Sequence, residues 1–220
     1  MNTTVAFLAQ TLAIFMGFFT RVVFTRTLSE GYVGINGLFT DILNILSLSE
    51  LGVGTAITYA LYAPIARRDI KKQQILMRMF RNFYRITAGF VLLAGLCLIP
   101  FLDILMKDRP DVNHLIIIYL LYLLNSVVSY LLIYKKTLVD AHQMNYITVM
   151  YHNGFLVLQD ILQIMVLFLT RNFILFLVIA VVCTIIGNIC MSRKADRLFP
   201  YLKEPCKEQL PQEERHDILR

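Results

Sequence analysis

Five ionisable side chains, Arg21, Glu50, Arg85, His152 and Asp160, interrupt runs that are otherwise long and apolar. A lone charge at the centre of a bilayer costs roughly 2.5–3.5 kcal/mol on insertion scales, so such residues face a bundle interior or a water path, find partners, or lose their charge. Amides and hydroxyls recur around them at helical spacing. Asn36, Thr40, Asn44, Ser47, Glu50, Gly54 and Thr58 advance by three or four along one run, and at about 100° per residue they draw a single stripe. Asn145, Thr148, His152, Gln159 and Gln163 repeat the pattern in a later run, and Thr3, Gln10, Gly17 and Arg21, then Asn125 and Ser129, do so in two others.

Two roles fit these stripes: glue between helices, or the walls of a shared hydrated cavity. The ionisable residues among them favour the cavity. On this reading the substrate-binding or pathway residues are Arg21, Asn36, Thr40, Asn44, Glu50, Arg85, His152, Gln159, Asp160 and Gln163. Arg21 and Glu50 are expected to be paired, protonated or hydrated. Arg85 sits nearer the end of its run and suits snorkelling, while His152 fits helix packing or a ligand contact. Asp41 and Asp103 are expected toward an outer interface.

Covalent and metal chemistry have no comparable footing. The sequence has no GxSxG, HExxH, GxxxxGK[ST] or glycine-rich dinucleotide loop, and His114, His142, His152 and His216 are scattered over separate segments. Cys97, Cys183, Cys190 and Cys206 form no CxxC pair, and three of them lie inside apolar runs, as small apolar residues do. The expectation is a protein that is not an enzyme and needs no cofactor or metal.

The elements that must carry these stripes follow from composition. Of 220 residues, 57% are hydrophobic and 16% charged, against about 45–50% and 25% in soluble domains. The charges also crowd together, with 13 of the 36 in the 29 residues from Ser192 to Arg220. A disordered chain, a disulfide-rich module and a nucleic-acid-binding domain are disfavoured. In lipid a backbone must satisfy its own hydrogen bonds, and runs near 20 apolar residues select helices. The runs predict an all-α polytopic membrane protein, a bundle of six spans at about 2–27, 33–64, 82–106, 113–134, 145–169 and 172–191. Residues 1–191 form the transmembrane lobe and 192–220 a polar cytoplasmic tail. The basic stretch 69–81 reads as a surface helix leading into the third span.

Lysine and arginine divide between alternate loops. Twelve (Arg67, Arg68, Lys71, Lys72, Arg78, Arg81, Lys135, Lys136, Arg193, Lys194, Arg197 and Lys203) fall on one side, and four (Arg26, Lys107, Arg109 and Arg171) on the other. The positive-inside rule then places both termini in the cytoplasm. It also accounts for the net charge of +6 without nucleic acid.

The second run carries Gly34-Ile35-Asn36-Gly37-Leu38-Phe39, then Leu48-Ser49-Glu50-Leu51-Gly52-Val53-Gly54-Thr55-Ala56-Ile57, then Leu61-Tyr62-Ala63-Pro64-Ile65-Ala66-Arg67-Arg68-Asp69. This combination of glycines, an acidic residue before LGVG and an LYxPxA ending resembles the oligosaccharide flippases of the multidrug, oligosaccharidyl-lipid and polysaccharide exporter superfamily. The resemblance implies two six-helix lobes around a central cavity. It also implies movement of an undecaprenyl-pyrophosphate-linked oligosaccharide between leaflets of the bacterial cytoplasmic membrane. The chain then supplies one lobe and a linker, and is expected to be a truncated or half-size protein that needs a second lobe or a homodimer partner. Arg21 and Arg85 would meet the pyrophosphate, the amide and hydroxyl stripes the sugars, and Glu50 would couple an ion gradient or pair with Arg21. A drug or small-molecule exporter, a membrane-embedded glycan-synthesis enzyme and a noncatalytic membrane scaffold remain as alternatives.

Overall fold

Apolar length and the residues that cap or break each run decide the architecture. The computed structural model describes residues 2–47, 53–102, 112 and 114–203. Four helices among them are long and apolar enough to cross a membrane. These are α1 (Asn2–Thr27), α4 (Ile70–Leu98), α7 (Asn145–Thr170) and α8 (Phe173–Leu198). A fifth candidate is the pair α5 (Leu115–Leu131) and α6 (Ile133–Ala141), which meets the same test as one span bent by 42°. The other described residues form two shorter helices and single helical turns, with no strand among them.

Six spans were expected, and four or five stand in the structure. The expected span 33–64 is described as two shorter helices, α2 (Glu30–Ser47) and α3 (Val53–Ala66). Residues 48–52, Glu50 included, lie outside the described residues, as do the expected loop 107–111, Asp103 and the tail from 204 onward. At about 1.5 Å per residue, 14 residues fall well short of a hydrocarbon core of about 30 Å. Neither α2 nor α3 is among the helices long and apolar enough to cross by itself.

The surface helix expected at 69–81 and the span after it are one helix. Asp69 caps its start, accepting a hydrogen bond from Lys72 N at 3.0 Å. Its buried face then runs without a break in steps of three and four through Gln73, Met77, Phe80, Tyr84, Ala88, Val91 and Gly95. One apolar stripe through a basic half and an apolar half leaves nothing to end the helix between them.

The fourth expected span, 113–134, is broken at Leu132. Asn188 of α8 donates from Nδ2 to the Val128 carbonyl at 3.1 Å, the group a continuous helix would offer to the Leu132 N–H. Ser129 also bonds back to the Ser126 carbonyl at 2.7 Å. Side chains that enter the backbone ladder in this way bend helices.

Turn chemistry fixes the last hairpin. Arg171 takes the left-handed conformation at φ 51° and closes α7 through its N–H to the Leu167 carbonyl. Asn172 then caps α8, accepting from Ile174 N and Leu175 N. α7 lies between α1 and α8, α8 packs on α5, and α5 packs on α4, while α6 draws α3, α4 and α8 together at one end. The core runs through Phe39, Leu76, Phe80, Tyr119, Leu138 and Ala195, all fully buried. Tyr119 donates to the Gly95 carbonyl at 2.8 Å. A Cβ on Gly95 would stand 2.3 Å from Leu123 Cδ1, so a larger residue at this crossing of α4 and α5 would force the buried Leu123 side chain to move.

Candidate functional site

The polar stripes separate into three neighbourhoods. The first is a seam between α1 and α7. Gln10 accepts from Asn153 Nδ2 at 2.9 Å, and Asp160 lies against Thr20 and against Gly17, whose absent Cβ would sit 4.0 Å from its Oδ2. Here the stripe of α1 meets Asn153 and Asp160, one residue along from the α7 stripe, as glue between helices. Gln163 extends the theme to α8: it is 3% exposed and donates to the Phe176 carbonyl at 3.0 Å.

The second neighbourhood is a wall on α1 and α2. Arg21 is exposed on α1, with its guanidinium 6.0 Å from the Phe24 ring centroid and its charge reaching Tyr122 of α5. Tyr122 in turn donates to Asn36 Oδ1. Further along α2, Thr40 donates to the Asn36 carbonyl at 2.6 Å. Thr40, Asp41 and Asn44 are all exposed. Arg21, Asn36, Thr40 and Asn44 therefore belong to one open polar face, with Asp41 beside them. Glu50, expected to continue that stripe, lies outside the described residues, and with it the pairing expected with Arg21. Arg85 is exposed halfway along α4.

The third neighbourhood is a cavity of about 260 Å³ enclosed by α5, α6, α7 and α8. Asn125, Ser129, Thr148, His152 and Gln159, all read from the sequence as stripe residues, meet in its lining. Two stripes thus converge across one space. The structure adds Lys136, Thr184 and Asn188, which sequence reasoning passed over. Lys136 had been counted only among the loop charges, and the two α8 residues are isolated polar positions in an apolar run. Phe155, Leu156, Ile133 and Met191 supply apolar walls.

The charged groups at this cavity are Lys136 in its lining and Asp140 just outside it. Its lining includes Lys136 and His152 and no carboxylate, and the Lys136 charge reaches His152 and Asp140. The Asn125 Oδ1 atom is buried and has no hydrogen-bond partner. A buried acceptor left open costs about 1–3 kcal/mol. Thr148 is almost fully buried, lies 2.6 Å from Asp140 Oδ1 and fixes the start of α7 beside the cavity. Among the described residues no cluster of histidine, cysteine and carboxylate side chains could hold a metal ion.

At the basic end of the bundle the polar groups are joined to one another. Lys135 Nζ reaches both carboxylate oxygens of Asp196, at 2.8 and 2.7 Å, and the Ser192 hydroxyl at 2.8 Å. Beyond α8, the turn Pro200–Lys203 folds back onto α4. Tyr201 donates to Gln73 Oε1 at 2.6 Å, and Gln74 donates to the Tyr201 carbonyl at 2.6 Å. Gln73 also reaches the Pro64 carbonyl at 3.2 Å, and Phe199 stacks on His142 with centroids 4.3 Å apart. Burial pushes the Tyr201 phenol up to about 12. No family model, curated protein or solved structure matches the chain.

Proposed function

We propose that the chain is one lobe of an exporter that moves a lipid-linked oligosaccharide across the bacterial cytoplasmic membrane. The observation that carries the reading is the set of exposed polar residues on α1 and α2, Arg21, Thr40 and Asn44, with the half-buried Asn36, on elements otherwise clothed in apolar side chains. An arginine in the apolar run Phe7–Thr27 is costly against lipid and favourable against a hydrated pathway. A face of this kind is one wall. The other belongs to a second lobe, in the same polypeptide or in another copy. Sugars would take the amides and hydroxyls, and the pyrophosphate would take Arg21 and Arg85. The sequence resemblance points the same way.

Orientation belongs to the same proposal. Gln74 to Tyr201 and Lys135 to Asp196 gather the three most basic stretches at one end, while Phe24 and Tyr32 against Phe173 bring Arg26 and Arg171 to the other. With α2 and α3 together making one crossing and α5 with α6 another, six crossings leave both termini at the basic, cytoplasmic end.

The test is flipping of a fluorescent undecaprenyl-pyrophosphate oligosaccharide in proteoliposomes, read by quenching of the outer leaflet. The two-lobed assembly is expected to flip it, and Arg21→Gln to slow it about tenfold, the scale of one lost charge-assisted contact, with an unchanged melting temperature. A two-lobed assembly that flips nothing, or an Arg21→Gln variant at the wild-type rate, would remove the reading.

A further inference from the structure

The cavity between α5, α6, α7 and α8 is separate from the polar wall and has its own chemistry. We propose that it is a binding site for a phosphate ester that carries free hydroxyl groups, a polyol phosphate headgroup.

The argument begins with charge. Of two adjacent lysines at the bend, Lys135 is tied to Asp196 and Ser192, while Lys136 lines the cavity. Asp140, held by Thr148 at 2.6 Å and within reach of the Lys136 charge, stands outside the lining; the lining itself presents an ammonium and no carboxylate, which favours an anion as the charged ligand. An ammonium bonds phosphate as a point charge without demanding a planar ligand.

The second step is the neutral polar lining. Asn125, Ser129, Thr184 and Asn188 line the cavity, and amides and hydroxyls together offer both donors and acceptors. Phosphate oxygens that carry no proton serve only the donors. A ligand hydroxyl serves both. The lining therefore combines one cation with several groups suited to hydroxyls.

The third step is size and greasiness. At about 260 Å³ the space is smaller than the roughly 300–1,000 Å³ of sites for drug-sized ligands. It suits a headgroup and not a whole lipid. Phe155, Leu156 and Met191 in the wall tolerate the glycerol carbons or the start of a chain. His152 lines the cavity and is exposed, so the space reaches the surface of the bundle.

A polyol phosphate has two sources, a membrane lipid or a soluble ester, and one experiment distinguishes them. The full chain is placed in nanodiscs of phosphatidylcholine with one fifth phosphatidylglycerol, and lipid retention is read by native mass spectrometry, with and without soluble glycerol 3-phosphate. The expected result is retention of phosphatidylglycerol over phosphatidylcholine. Lys136→Gln should weaken it about tenfold and Asn125→Leu severalfold, while Arg193→Gln, a change at an exposed basic residue outside the lining, leaves it unchanged. Displacement by glycerol 3-phosphate, with stabilisation by that ester alone, supports the site and assigns it to the soluble source. Equal retention of the two lipids together with no response to the soluble ester overturns the proposal, as does wild-type retention in both lining variants. Asn125→Leu removes an unpaired buried acceptor and keeps the volume near, so the folded protein remains available for the measurement.

Discussion

The basic end of the bundle and its middle use similar side chains to opposite ends. At the basic end, Lys135, Asp196, Ser192, Gln73, Gln74 and Tyr201 satisfy one another, with Arg81 Nε the buried atom there that lacks a partner. In the cavity, Lys136 and Asn125 stand beside open space, and on the wall Thr40, Asp41 and Asn44 face outward. Partnered polar groups hold helices in place, and polar groups left open are available to a ligand. The difference separates architecture from function without appeal to residue type.

The sharpest break in the comparison is Asp196→Ala. The pair is 15% and 20% exposed, so the change strands a largely buried ammonium, and breaking such a pair costs about 3–5 kcal/mol. With residual exposure, a loss near the lower figure is expected by denaturant unfolding in detergent. A loss below about 1 kcal/mol would place the pair in the class of weak surface contacts.

Tyr201→Phe is the next smaller. It removes one hydrogen bond, to Gln73, and should cost about 1 kcal/mol. The phenol rises from its ordinary value of 10.0 to about 12 when buried. Its stabilising contribution is therefore complete below pH 10 and is lost as pH rises from about 10 to 12, because only the unfolded chain releases the proton in that window. The difference in melting temperature between wild type and Tyr201→Phe should shrink across that range; a constant difference would mean that the hydroxyl proton is not held there.

Asn125→Leu is the smallest and the most telling. Removal of an unpaired buried acceptor should leave stability within about 0.5 kcal/mol, or raise it slightly. A loss of several kcal/mol would move Asn125 from the open class to the closed one and blur the comparison.

Much of this was legible in the sequence, and the parts that were not share a cause. α1, α7 and α8 follow from uninterrupted apolar length, and the turn at Arg171-Asn172 from its cap. The break at Leu132 was not legible, because the carbonyl that would continue the helix is taken by Asn188, 60 residues away. α4 was legible as a basic helix leading into a span, and its single buried face, constant while charge changes along it, makes the two one element. In the cavity, Asn125, Ser129, Thr148, His152 and Gln159 were visible as stripes. Lys136, Thr184 and Asn188 were not, because a single polar residue acquires a role only from the helix opposite it. The stripe of α1 shows the converse: Gln10 and Gly17 have periodic spacing, yet Gln10 bonds Asn153 and Gly17 lies beside Asp160, both on α7.

The clasp of Tyr201 on α4 also has a consequence for how the chain is made. Gln74 and Tyr201 are 127 residues apart, and bringing the ends of so long a loop together costs roughly 4 kcal/mol of entropy. Two hydrogen bonds contribute about 1 kcal/mol each and cannot meet that cost from a loose chain. The clasp therefore closes only after the intervening helices have formed and drawn its halves close. At about 5–20 residues per second of synthesis, Gln73 and Gln74 wait roughly 6–25 s for their partner to leave the ribosome, and its arrival marks a bundle already assembled.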